Sequence, residues 1–111
     1  MALTDTLKDG LSMLADEDRA YHLSQVLSEI AGISIEQALR VLMQRDSSGI
    51  AVACRSLGIG ATAFRAILQL RARRLYFSSR DVDDDVDAYE KLDLSTAERT
   101  LRFLKLRTKI A

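Results

Sequence analysis

Four groups of side chains in this sequence could carry chemistry. Cys54 is the one thiol and His22 the one imidazole. A thiolate nucleophile needs a proton acceptor beside it, so the two could in principle form a pair. Cys54 falls, however, on the apolar stripe Ile50, Ala53, Cys54 and Leu57, and a thiol in apolar surroundings keeps its proton and is inert. One histidine without a CxxC motif gives no metal site of the usual kinds. Asp81, Asp83, Asp85 and Asp87 alternate in "DVDDDVDAYEKL" as the ligands of a calcium loop do. Such a loop needs glycine at its sharp turn and a bidentate glutamate at its end, and those positions hold Val86 and Leu92. The acids fit better as the first turns of a helix or an acidic face for a partner. Gly58-Ile59-Gly60 is too short and wrongly flanked for a phosphate-binding turn, which follows a strand. No catalytic residue, cofactor or metal is expected.

The remaining group is cationic. "IAVACRSLGIGATAFRAILQLRARR", Ile50 to Arg74, reads as two helices meeting at Gly58, the second ending in arginines. From Ser47 to Arg80 there are six arginines and no acid. One reading is a helix-turn-helix, with Leu57, Ile59, Phe64 and Ile67 buried and Thr62, Arg65 and Gln69 facing a groove. Arg65 would then pair with guanine and Gln69 with adenine, while Arg71, Arg73, Arg74 and Arg80 would contact phosphates. The other reading is a protein-binding face of Arg65, Gln69, Arg71, Arg73, Arg74 and Arg80 that receives an acidic partner. It is the favoured one, because Ala61-Thr62-Ala63 offers few donors and seven acids, Asp81 to Asp93, follow at once. The DNA reading requires Thr62, Arg65 and Gln69 on one face free of those acids.

Helices must position these groups. The 111 residues include no proline and five glycines, are 48% hydrophobic and 29% charged, and carry zero formal net charge. That is one modest domain, residues 1–111, of all-α class, with no global electrostatic pull toward nucleic acid or anionic membrane. A lone cysteine and the lack of any membrane-spanning or signal-like run point to the cytoplasm.

Apolar residues at i, i+3, i+4 and i+7 mark helices at Leu7–Leu14, Leu23–Ile30, Ile35–Leu42, Ile50–Leu57, Ala63–Leu70 and Ala97–Leu104. Val82, Val86 and Tyr89 add one more, giving about seven. Asp16-Glu17-Asp18 is expected to open the second helix. Ser34 with Gln37 and Ser95 with Glu98 read as capping boxes, and Gly58 as a left-handed helix stop. The fifth helix is expected to reach about Phe77. A 26-residue echo pairs Val26, Gly32, Ile33 and Ala38 with Val52, Gly58, Ile59 and Phe64. It predicts a repeated hairpin and an array of stacked antiparallel hairpins, HEAT-like or an orthogonal bundle.

The run from Leu23 to Arg71, with Ala51-Val52-Ala53-Cys54-Arg55-Ser56-Leu57-Gly58 and then Phe64, resembles a bacterial family known as domain of unknown function 2336, common in alphaproteobacteria. The resemblance extends over residues 5 to 107. It implies an all-α fold, often preceded in longer members by HEAT-like helices, and supplies no catalytic residues. The expected role is a helical interaction or regulatory module with a protein partner, self-association being a second form of the same role.

Overall fold

The computed structural model describes residues 5–110, with side chains described for 10–102. Among these residues there are seven α-helices and no strand: α1 Asp5–Asp16, α2 Ala20–Ala31, α3 Ile35–Met43, α4 Ser48–Ser56, α5 Ala61–Leu75, α6 Ser79–Glu90 and α7 Leu94–Ile110. Each predicted stripe turns inward where its side chains are described, with Leu11, Leu23, Leu42, Ile50, Ile59, Phe64, Ile67 and Leu70 all buried. Leu7 and Leu104, expected on two of the stripes, lie outside the described side chains.

The helices form a closed bundle around α5. It packs against α1, α6 and α3, while α2 lies on α3 and α4 on α7. A stacked array would restrict contacts to neighbouring units. Here α1 on α5 and α4 on α7 join segments distant in sequence. The Cα radius of gyration is 12.8 Å, the value of about 13 Å that a close-packed chain of this length takes.

Four helices stop in the same way. At Asp18, Gly32, Gly58 and Tyr76 the backbone turns left-handed, with φ of 59°, 71°, 75° and 63°. The next residue's N–H then reaches back to a carbonyl of the last turn. Arg19 donates to Leu14 at 2.9 Å, Ile33 to Ser28 at 3.1 Å, Ile59 to Cys54 at 3.0 Å and Phe77 to Ala72 at 3.1 Å. This is the Schellman stop, which satisfies carbonyls left unpaired at a helix end. Gly32 and Gly58 thus repeat the stop, but not the hairpin that the echo predicts: α2 lies on α3, whereas α4 lies on α7 and not on α5.

Three boundaries differ from expectation. The acids at 16–18 do not open α2: α1 runs through Asp16, and α2 starts after Arg19 with no acid in its first turn. Helix α5 ends at Leu75, because Tyr76 adopts the left-handed conformation. Helix α7 is capped by Asp93, whose carboxylate accepts from the N–H of Thr96 at 2.9 Å and its hydroxyl at 3.0 Å, not by Ser95. The Ser34 cap is present, accepting from the Gln37 N–H at 3.1 Å, and α6 carries a full capping box between Ser78 and Asp81.

Candidate functional site: the α5–α6 face

Helix α5 is buried on most of its circumference. Ala63, Phe64, Ala66, Ile67, Leu68, Leu70 and Arg71 all face the interior. Toward solvent, beside exposed Arg74, lies the strip Thr62, half-buried Arg65, Gln69 and Arg73, residues about one turn apart on a 3.6-residue helix. Helix α6 is held beside this strip by its apolar stripe, Val82, Val86 and Tyr89, all buried. The Tyr89 ring stacks on Phe64 at 3.9 Å between centroids, and its hydroxyl donates to the carbonyl of Ile59. Arg65, Gln69, Ala72 and Arg73 of α5 and Ser79, Val82 and Asp83 of α6 line an open groove of about 280 Å³.

Each predicted site arginine has a distinct environment. The Arg65 guanidinium lies 2.7 Å from the Asp83 carboxylate. Arg73 donates to the Ala15 carbonyl at 2.8 Å and lies 4.0 Å from Asp18. Arg74 grips the same corner, donating to the Asp18 carboxylate at 3.0 Å and its carbonyl at 2.9 Å. Arg80 is exposed beside Asp81 at the start of α6, and Gln69 is exposed between Arg65 and Arg73.

Arg71 is not on this face. Its side chain is fully buried, donating to the carbonyl of Leu42, to that of Arg45 at 3.3 Å and to the Ser47 hydroxyl at 3.0 Å. Ser47 in turn donates to Asp85 at 2.8 Å. Phe77 lies under the guanidinium, 5.6 Å from ring centre to carbon. Desolvation lowers the Arg71 pKa, opposed by the fields of Asp85 and Asp46. The sequence places Arg71 six residues after Arg65, beyond one turn and a half, which takes it to the opposite side of α5. It therefore pins the α3–α4 corner to α5 and α6 and cannot meet a phosphate or a partner.

The acids of α6 point different ways. Asp81 caps its own helix through Ser78, Asp83 takes Arg65 and Asp85 takes Ser47. On a helix the alternating carboxylates of a supposed calcium loop are splayed around the axis, and among the described residues no three His, Cys, Asp or Glu side chains converge on a metal position. Cys54 is fully buried, and burial pushes its thiol up to about 12. His22 is exposed on α2 with Tyr21 edge-on beside it, and no hydrogen bond links it to the thiol among the described residues.

The helix-turn-helix requirement is met only in part. Helices α4 and α5 meet at left-handed Gly58, and Thr62 and Gln69 are exposed. Arg65, however, is paired with the acidic segment. Sequence reasoning missed the Ser47–Asp85 bond, which joins residues 38 apart, and the Asp18 anchor for two arginines. Neither leaves a local signal, because both depend on how distant helices meet.

No curated protein and no solved structure matches the chain. No helix among the described residues is long and apolar enough to cross a membrane. The model of the bacterial family described as "Uncharacterised protein conserved in bacteria", domain of unknown function 2336, matches residues 5–102 of the 111, and the chain belongs to that family.

Proposed function

We propose that this chain is a non-catalytic helical interaction module of the cytoplasm whose α5–α6 face receives an acidic segment of a partner protein. The observation that carries the reading is the row of half-buried Arg65 and exposed Gln69 and Arg73 along the rim of the α5–α6 groove, with half-buried Ala72 as apolar lining. Polar donors in a row beside an apolar strip are what a docked amphipathic segment needs: apolar contact for affinity, paired polar groups for register. The buried, fully protonated Cys54 gives no support to a nucleophilic reaction.

The test is affinity capture with the intact chain, comparing wild type, the triple variant Arg65→Ala, Gln69→Ala and Arg73→Ala, and a distant control, Glu29→Ala on the exposed side of α2. A protein held by wild type and control but released by the triple variant, with helicity unchanged by circular dichroism, supports the face. A partner that the triple variant retains sinks it.

A DNA-binding reading has one favourable observation, the α4–Gly58–α5 corner with Thr62 and Gln69 exposed. An electrophoretic shift at two salt concentrations decides it. Salt-steep binding that is lost in Arg65→Ala and Arg80→Ala would displace the protein-partner reading.

A further inference from the structure

Of the seven acids from Asp81 to Asp93, three are committed to the architecture: Asp81 caps α6, Asp85 holds Ser47, and Asp93 caps α7. Asp83 differs. It lines the α5–α6 groove together with Arg65, Gln69 and Arg73, and its carboxylate pairs with Arg65 across that groove at 2.7 Å. Both side chains of that pair are open to water, 43% exposed for Arg65 and 62% for Asp83. An exposed pair of this kind shifts an equilibrium by no more than about fivefold, so it can be exchanged for another carboxylate at little cost.

We infer that the Asp83 carboxylate is an internal stand-in for a partner carboxylate, and that an acidic amphipathic helix docks along α5 by displacing it from Arg65. The inference rests on the α5–α6 face being the docking surface. Charge and spacing select the occupant. Arg65, Gln69 and Arg73 follow one another by four residues, about 6 Å per step along α5, which a second helix matches with acids at i, i+4 and i+8, the last of them drawing Arg73 from the Ala15 carbonyl. Ala72, half-buried at the groove, meets the apolar side of that helix. Asp83 then sets a threshold: a segment with a single weak acceptor does not outcompete a tethered carboxylate, whereas several acids in register do.

The experiment uses the full chain and a fluorescein-labelled helical peptide with glutamates at i, i+4 and i+8 and leucines on the adjoining face, read by fluorescence polarisation at low salt. Asp83→Asn is expected to tighten binding about two- to fivefold, and Arg65→Ala to weaken it. Asp84→Asn removes the same charge from an exposed neighbouring position and is expected to have a smaller effect. In an Arg65→Ala background the gain from Asp83→Asn should vanish, because an occupied guanidinium is what the substitution frees. If Asp83→Asn acts no more than Asp84→Asn, or acts equally without Arg65, the stand-in is overturned while the docking face survives through its Arg65 dependence. If the peptide binds no variant, or binds with indifference to Arg65, the docking face falls as well.

Discussion

The rings of Phe64 on α5 and Tyr89 on α6 lie nearly parallel, 13° apart, with 3.9 Å between their centroids. This stack, and the bond from the Tyr89 hydroxyl to the Ile59 carbonyl, joins the Gly58 corner to the helix that carries the acids. The Arg65–Asp83 pair therefore spans two helices that are joined at the neighbouring residue of α5.

Tyr89→Phe keeps the stack and removes the hydroxyl, leaving the Ile59 carbonyl without that donor. It should cost about 1 kcal/mol. Tyr89→Ala removes the ring from a buried site and should cost about 3–5 kcal/mol. Urea denaturation followed by circular dichroism gives both values, and equal losses in the two variants would contradict the division.

Arg71→Met should lower stability by about 2–4 kcal/mol, because it strips a donor from the carbonyls of Leu42 and Arg45 and from Ser47 at once. The loss is structural. At a temperature where the variant is folded, partner capture by the α5–α6 face should be unchanged, and a selective loss of capture without loss of stability would place Arg71 on the surface after all.

Tyr76 holds a left-handed backbone with its side chain 91% exposed. A non-glycine residue there costs roughly 1–2 kcal/mol, and glycine's extra freedom in the unfolded chain returns about 0.5–1 kcal/mol of that. Tyr76→Gly should thus stabilise by about 0.5–1 kcal/mol. Gly58→Ala, at φ 75°, should destabilise by about 1 kcal/mol. Shifts in the urea midpoint of opposite sign are the signature, and two shifts of the same sign would refute it.

Stability should fall at both ends of the pH scale, for different residues. Hydrogen bonds from Ser48 to Asp46, Ser78 to Asp81 and Thr96 to Asp93 hold these carboxyls below their ordinary range. A depressed folded pKa contributes stability that is present above the unfolded value, about 3.9, and lost as pH drops through the folded one. Cys54 is raised to about 12. Its contribution is complete below its unfolded value of about 8.5 and disappears as pH climbs through 12. Asp93→Asn should flatten the acid limb of a pH-dependent unfolding curve and Cys54→Ala the alkaline limb. Native Cys54 should also resist a thiol reagent at neutral pH until the chain unfolds, and prompt labelling would contradict its burial.

What the sequence made legible was whatever local chemistry decides. The apolar period located the helices, and Gly32 and Gly58 marked their stops because glycine takes a positive φ without steric cost. Asp18 and Tyr76 make the same stop without that marker, so the start of α2 and the last turn of α5 differ from the sequence expectation. Ser95 looked like a cap because a glutamate follows at the right spacing, yet Asp93 is nearer the first free N–H groups of α7. Within the site, Arg65, Gln69 and Arg73 fall on one face as their four-residue spacing dictates. Arg71 was grouped with them by charge alone. Its burial follows from two carbonyls and the Ser47 hydroxyl of the α3–α4 corner, which are 24 to 29 residues away in sequence. Asp18 as the anchor of Arg73 and Arg74 is equally a product of how α1 meets α5.

The four left-handed stops bear on how this chain finds its structure in time. Each closes on a carbonyl five residues back, so the corners need nothing from elsewhere in the chain and can form on the scale of helix formation itself, about a microsecond. The slower events are then the docking of α1 onto α5 and α7 onto α4, which close long loops. Substitutions at the stops should consequently alter the starting ensemble, whereas those beneath α1 and α7 should govern the barrier.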